Sequence, residues 1–119
     1  MTSDPGCIFC KIVDGDIPAE VVRRTDTVVA FRDLHPQADT HVLIVPVEHH
    51  PNVVQLAEAR PDVLTDLVAL AQQIANDESE GSFRLLFNTG AAVGQSVFHA
   101  HGHVLAGTLR GWAGRATTD

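Results

Sequence analysis

A chain of 119 residues, 45% hydrophobic and 19% charged, is long enough for one domain with a single buried core and lacks the composition of a disordered tail. Its 15 acidic and 8 basic residues give a net charge of −7, and Arg23 and Arg24 are the only adjacent basic pair, so a nucleic acid polymer, which needs a clustered basic face, is excluded as an expected partner. Met1 to Gly6 offer no basic start followed by an apolar stretch, and the longest apolar run, about Val42 to Val47, is far below a membrane span, so a cytoplasmic protein without a membrane partner is expected.

The first informative element is Cys7-Ile8-Phe9-Cys10, which holds both cysteines of the chain. In a reducing compartment C-x-x-C spacing favours metal ligation or a redox pair over a structural disulfide. The six residues before Cys7 cannot supply the strand that a thioredoxin-like site requires, which leaves metal as the better reading. Ile8, Phe9, Ile12 and Val13 then suggest a short apolar turn or helix, broken by Asp14-Gly15-Asp16 and Pro18. Val21 to Arg24 and Val28 to Arg32 read as a hairpin around Thr25-Asp26. His41 to Val45 is nearly all apolar and is stopped by Pro46, as a buried strand would be.

From Pro61 to about Asp77, residues Leu64, Leu67, Val68, Ala71, Ile74 and Ala75 recur at helical spacing, with Pro61 in the first turn and Asp62 near the positive end of the dipole. The polar stretch Asn76 to Gly81 ends this helix. Phe83 to Asn88 reads as another strand, followed by the glycine-bearing loop Gly90 to Gly94. Strands and helix in this order, without βαβ alternation or repeats, predict an α+β domain with an antiparallel sheet.

The last strand carries the chemistry. In Gln95-Ser96-Val97-Phe98-His99-Ala100-His101-Gly102-His103-Val104-Leu105 three histidines alternate with Phe98, Ala100, Gly102 and Val104, which would pack inward. An extended strand places the three imidazoles on one face, about 6.6 Å apart. One histidine on a strand is usually a polar residue on a wet face, whereas three in register form a chemical surface. A single His₃ metal ion is disfavoured, because three positions on one straight strand span about 13 Å.

These residues resemble the histidine-triad (HIT) family, in its small nucleotide-binding Hint branch. The signature, alternating histidine and apolar residues, reads His99-Ala100-His101-Gly102-His103-Val104-Leu105. Supporting matches are Cys7-Ile8-Phe9-Cys10-Lys11-Ile12, Phe31-Arg32-Asp33-Leu34-His35-Pro36-Gln37-Ala38, Thr40-His41-Val42-Leu43-Ile44-Val45-Pro46, Asn88 with Gly90, and Gly94-Gln95-Ser96. The resemblance implies a single HIT domain over residues 1–119, with 106–119 a C-terminal tail. The implied fold is a five-stranded antiparallel sheet with one long and one or two short helices, in a homodimer whose sheet is continuous across the interface.

The implied activity is hydrolysis at the α-phosphate of purine nucleotides (AMP or GMP derivatives) of the adenosine 5′-phosphoramidate type, through a covalent nucleotidyl-histidine. His101 would be the nucleophile, a role that neutral imidazole suits chemically. His103, the Ser96 hydroxyl and backbone N–H groups of Gly94-Gln95-Ser96 would hold the phosphate oxygens, with Ser96 also passing a proton to the leaving group. Ile8, Phe9, Ile12, Phe31 and Leu34 would enclose the base, Asp33 the ribose hydroxyls, and Asn88 the phosphate or leaving group. His41 would be a supporting residue near the triad.

Family members with C-x-x-C hold a structural zinc, which maps here to Cys7, Cys10, His49 and His99; that role would remove His99 from direct catalysis despite its place in the triad. Two positions depart from the pattern: Gly102 replaces a larger apolar residue, and Ala106 stands where glycine is common. Trp112 in the tail matches the Hint branch, whose C-terminal segment tunes substrate choice. The other functions compatible with the motif are a diadenosine-polyphosphate hydrolase of the Fhit kind and a non-catalytic nucleotide-binding scaffold dimer.

Overall fold

In the computed structural model, residues 4–109 are described. The elements run α1 (Ile8–Asp14), β1 (Val21–Arg24), β2 (Val28–Arg32), β3 (Ala38–Pro46), α2 (Val53–Ala59), α3 (Pro61–Glu78), β4 (Arg84–Leu86), a 3-10 turn (Ala91–Val93) and β5 (Gly102–Leu109). The five strands form one antiparallel sheet in the order β1-β2-β3-β5-β4. This is the expected α+β architecture.

Strand alternation gives the sheet two differently employed faces. Val28, Ala30, Val42, Ile44 and Val104 pack beneath Val63, Leu67, Leu70 and Ile74 of α3 and Leu56 of α2, which is the main core. On the opposite face Val29, Phe31, Leu43 and Val45 meet Phe9, Cys10 and Val13 of α1. His41 and His103 belong to this second face, since they alternate with Val42 and Val104. Leu43 pairs directly with His103, and His41 with Leu105, so the two histidines are diagonal neighbours across β3 and β5.

Local chemistry accounts for the helix bounds. The Cys7 sulfur caps α1 by accepting the Cys10 N–H, and Gly15 closes the helix at φ 84°. Pro61 opens α3 with Asp62 in its first turn. The sequence reading omits α2 altogether. Its N-cap is Asn52, whose Oδ1 accepts the Gln55 N–H at 2.9 Å, so Asn-x-x-Gln was the available signal, hidden by two consecutive valines of low helix propensity.

Three strand boundaries also differ from expectation. β3 begins three residues early, at Ala38, while β4 covers only Arg84–Leu86, because Phe83 and Phe87 pack against the main core from outside the ladder. β5 begins at Gly102, so His99 and His101 precede the paired strand. Beyond Ile44 the pairing with β5 stops: the Ala100 N–H donates instead to the His50 carbonyl, and His99 to the Pro46 carbonyl. Phe98, expected to face inward, is consequently 51% exposed.

At its other end β5 continues through residues 106–109, which the sequence reading assigns to the tail. Ala106 pairs with Thr40. Gly107 then makes a bulge at φ 78°, where a Cβ would come within 2.6 Å of the Asp39 carboxylate. Trp112 lies outside the described residues.

Candidate active site and metal centre

A cleft of about 440 Å³ opens on the second face, between α1 and the ends of β2 and β3. It brings together eight of the expected substrate residues: Ile8, Phe9, Ile12, Phe31, Asp33, Leu34, Ser96 and His101. Ile8 (47% exposed) and Leu34 (89%) hold apolar side chains open to solvent at this cleft. Its volume suits a nucleoside-sized ligand. Leu43, Ile17, Pro18, Glu20, Arg32 and His35 line it as well, and the sequence reading missed them as site residues. Leu43 was accessible by period two from His41; the residues around Pro18 enter through the loop between α1 and β1, which has no periodicity.

Hydrogen bonds fix the protonation of the triad imidazoles. His101 Nδ1 lies 2.7 Å from the His99 carbonyl, which can only accept, so Nδ1 carries the proton and Nε2 keeps its lone pair. For His41, Nδ1 accepts the backbone N–H of Gln37 at 2.9 Å, which puts the proton on Nε2. That Nε2–H faces His103 Nδ1 at 3.0 Å, so His103 accepts there and carries its own proton on Nε2. The rings of His101 and His103 are 5.1 Å apart. The two neighbouring imidazoles thus carry their protons on opposite ring nitrogens, Nδ1 of His101 and the buried Nε2 of His103.

Burial keeps both rings neutral. His101 is held below the ordinary imidazole range by desolvation, partly opposed by its bond to the His99 carbonyl and by the Asp33 charge. Desolvation, followed by the neighbouring His101 and His41, pushes His103 to about 3. Phe9 packs edge-on against His101 with ring centroids 5.0 Å apart, so it orients that imidazole as well as walling the cleft. Asp33 lies 3.5 Å from His41 Nε2 through one oxygen and accepts the His35 N–H at 2.7 Å through the other.

The remaining expected site residues lie apart from the cleft wall. Asn88 is half-buried after β4, and His103 is 1% exposed on β5. Within the Gly94-Gln95-Ser96 loop, two of the three backbone N–H groups expected for phosphate are already used: Gly94 donates to Ala91 O at 3.1 Å and Gln95 to Gly90 O at 3.1 Å. Of these three residues only Ser96, which is exposed, lines the cleft.

Beside the triad, Cys7, Cys10, His49 and His99 converge with all ligand atoms within 4.8 Å of one another. Zinc bonds of about 2.3 Å to sulfur and 2.0–2.1 Å to nitrogen at tetrahedral angles require S···N edges of about 3.6 Å and N···N edges of about 3.3 Å. Here Cys7 Sγ and Cys10 Sγ are each 3.4 Å from His99 Nδ1, Cys10 Sγ is 3.4 Å from His49 Nδ1, and the two Nδ1 atoms are 3.1 Å apart. His99 Nε2–H donates to the Pro46 carbonyl at 2.8 Å, which leaves Nδ1 with its lone pair toward the sulfurs. Burial pushes His99 to about 4 and raises the Cys10 thiol, and a cation among the thiols would reverse the latter. The donor set therefore fits a closed tetrahedral ion.

A second cluster, Asp33, His41 and His103, does not fit a metal. Ligation through His41 Nε2 would move the proton to Nδ1, where it would oppose the Gln37 N–H.

Comparisons with known proteins agree with this architecture. A family model described as HIT domain matches residues 14–109. The chain is 40% identical over 102 residues to the purine nucleoside phosphoramidase of Escherichia coli K12, covering 84% of this chain and 86% of that protein. It is 37% identical over 112 residues to a 14 kDa zinc-binding protein of Zea mays, covering 92% and 88%. Among solved structures, a HIT family hydrolase from Clostridium thermocellum superposes with a TM-score of 0.84 at 38% identity, covering 89% of this chain and 94% of its own. Motif, sheet and these likenesses together place the chain in the histidine-triad family.

Proposed function

We propose that this protein is a nucleotide hydrolase that cleaves at the α-phosphate of purine nucleotides, with P–N bonds of the adenosine 5′-phosphoramidate type as its substrates. The observation that carries the reading is His101, with its lone pair on Nε2, at an apolar cleft of nucleoside size, and the oppositely protonated His103 ring 5.1 Å from it. The name of the Escherichia coli relative supports the P–N preference.

In the proposed reaction the His101 Nε2 lone pair attacks phosphorus and the P–N bond breaks. The leaving amine takes a proton that the Ser96 hydroxyl relays from solvent water, and the proton that the hydrolytic water gives up in the second step returns to solvent by the same route. His101 Nδ1–H stays on the His99 carbonyl and stabilises the charge that the ring acquires. Water then attacks phosphorus, the P–Nε2 bond breaks, and a nucleoside monophosphate leaves. The His103 Nε2–H and the Ser96 groups are the donors for the phosphate oxygens. Ile8, Phe9, Ile12, Phe31 and Leu34 enclose the base, Asp33 takes the ribose hydroxyls, and Asn88 completes the phosphate or leaving-group side.

Cys7, Cys10, His49 and His99 would hold a structural zinc, whose chemistry is to lock these segments together. The zinc-binding relative in Zea mays supports that assignment. A homodimer belongs to the same reading and is tested by sedimentation of the same preparations: a monomer of 12.8 kDa at assay concentration would remove it.

The decisive experiment compares wild type with His101→Ala on an adenosine 5′-phosphoramidate. Turnover is expected to fall by roughly a thousandfold or more while AMP binding persists, and intact-mass analysis should trap a nucleotidyl adduct on wild type alone. Undiminished turnover by the variant would sink the assignment.

A further inference from the structure

Gln95 stands in the loop expected to hold phosphate, yet its side chain is turned into the protein and is 3% exposed. Its amide is fully employed. Oε1 accepts the Gly90 N–H at 2.9 Å, while Nε2 donates to the Pro51 carbonyl at 2.7 Å and to the Val97 carbonyl at 3.1 Å. The backbone N–H of the same residue donates to the Gly90 carbonyl, so Gln95 grips Gly90 through both its N–H and its C=O.

We infer that Gln95 is a positioning residue, which staples the Gly90–Ser96 loop and the segment leading into the triad onto His50-Pro51, and does not itself contact the nucleotide. Two consecutive carbonyls receive this staple: Pro51 O from the Gln95 amide, and His50 O from the Ala100 N–H at 2.6 Å. Ala100 lies between His99 and His101, and Ser96 is the next residue after Gln95. One side chain therefore fixes the hydroxyl of Ser96 relative to the imidazole of His101. A nucleotide reaching Gln95 would have to break a buried hydrogen bond to be recognised, which makes the amide a poor ligand and a good brace.

The kinetic part of this inference rests on the hydrolase reading; the structural part does not. Gln95→Met retains length and removes every bond of the amide, whereas Gln95→Glu retains an acceptor for Gly90 and removes both donors. Both variants are expected to lose roughly tenfold or more in kcat while the Kd for AMP stays within about threefold. The loss should be the same for phosphoramidates with weakly and strongly basic leaving amines.

The Gly90 amide should exchange with solvent roughly tenfold faster in Gln95→Met than in Gln95→Glu. AMP affinity that weakens in step with kcat/KM, or a loss that grows with leaving-group basicity, would show direct contact and overturn the inference; so would unchanged kcat. If neither variant folds, wild type decides, because an unprotected Gly90 amide overturns the staple and a protected one supports it. If wild type hydrolyses no phosphoramidate, the functional reading fails, while AMP binding and Gly90 exchange still judge Gln95.

Discussion

Between His101 and His103 stands Gly102, on the face of β5 opposite to them. A Cβ built there would lie 3.0 Å from Leu85 Cδ1 and from Phe87 Cε1, so Phe87 and Leu85 occupy the volume that a larger residue fills in the family pattern. The departure is thus a repacking of the helix-covered face that leaves the histidine register untouched. Gly102→Leu is expected to destabilise the fold by about 1–3 kcal/mol in urea denaturation, through overpacking. Phe87→Ala added to Gly102→Leu should recover part of that loss, since the two residues share one space. A Gly102→Leu protein as stable as wild type would refute this account.

Three separate elements meet at the cysteine-histidine centre: the start of α1 supplies Cys7 and Cys10, the turn after β3 supplies His49, and the approach to β5 supplies His99. One ion would therefore anchor α1, which walls the cleft, to the segment that leads into His101. Purified protein is expected to hold about one equivalent of zinc, and Cys10→Ser or chelation should lower stability by roughly 2 kcal/mol or more. Less than a tenth of an equivalent, without chelator exposure, would refute the assignment. The same junction shows what can be read from a linear chain. The long helix α3 and the strands β1 and β2 were legible because periodicity and their punctuating residues agree. The start of β5 was not, because alternation continues through His99 and His101 while the ladder stops at Gly102, where the His50 and Pro46 carbonyls take over. The triad itself was legible as a motif, but its division of protons depends on Gln37, His41 and the His99 carbonyl, which only the fold brings to it.

At the scale of the whole molecule, the net charge of −7 is unevenly borne, and α3 ends on Asp77 and Glu78 with no basic residue in its last turn. Carboxylates there oppose the helix dipole, so the sheet supplies the compensation. Arg23 of β1 pairs with Asp77, and Arg32 of β2 holds Glu78 through two bonds of 2.7 Å. The Arg32 hydrogen bonds keep the Glu78 carboxyl below its usual range against an opposing effect of burial, with Thr40 adding a smaller contribution. A depressed carboxylate contributes stability that is fully present above its unfolded pKa, near 4.3, and is lost as pH falls through the lower folded value. Partial exposure of both side chains screens the pair, so Glu78→Gln should cost about 1 kcal/mol at pH 7. Urea midpoints of wild type and variant should therefore differ at pH 7 and converge as the pH is lowered from about 5 toward 3, leaving the main core untouched. A gap that persists unchanged at pH 3 would mean that Glu78 acts through packing, and that the ion pair does not join the end of α3 to the sheet.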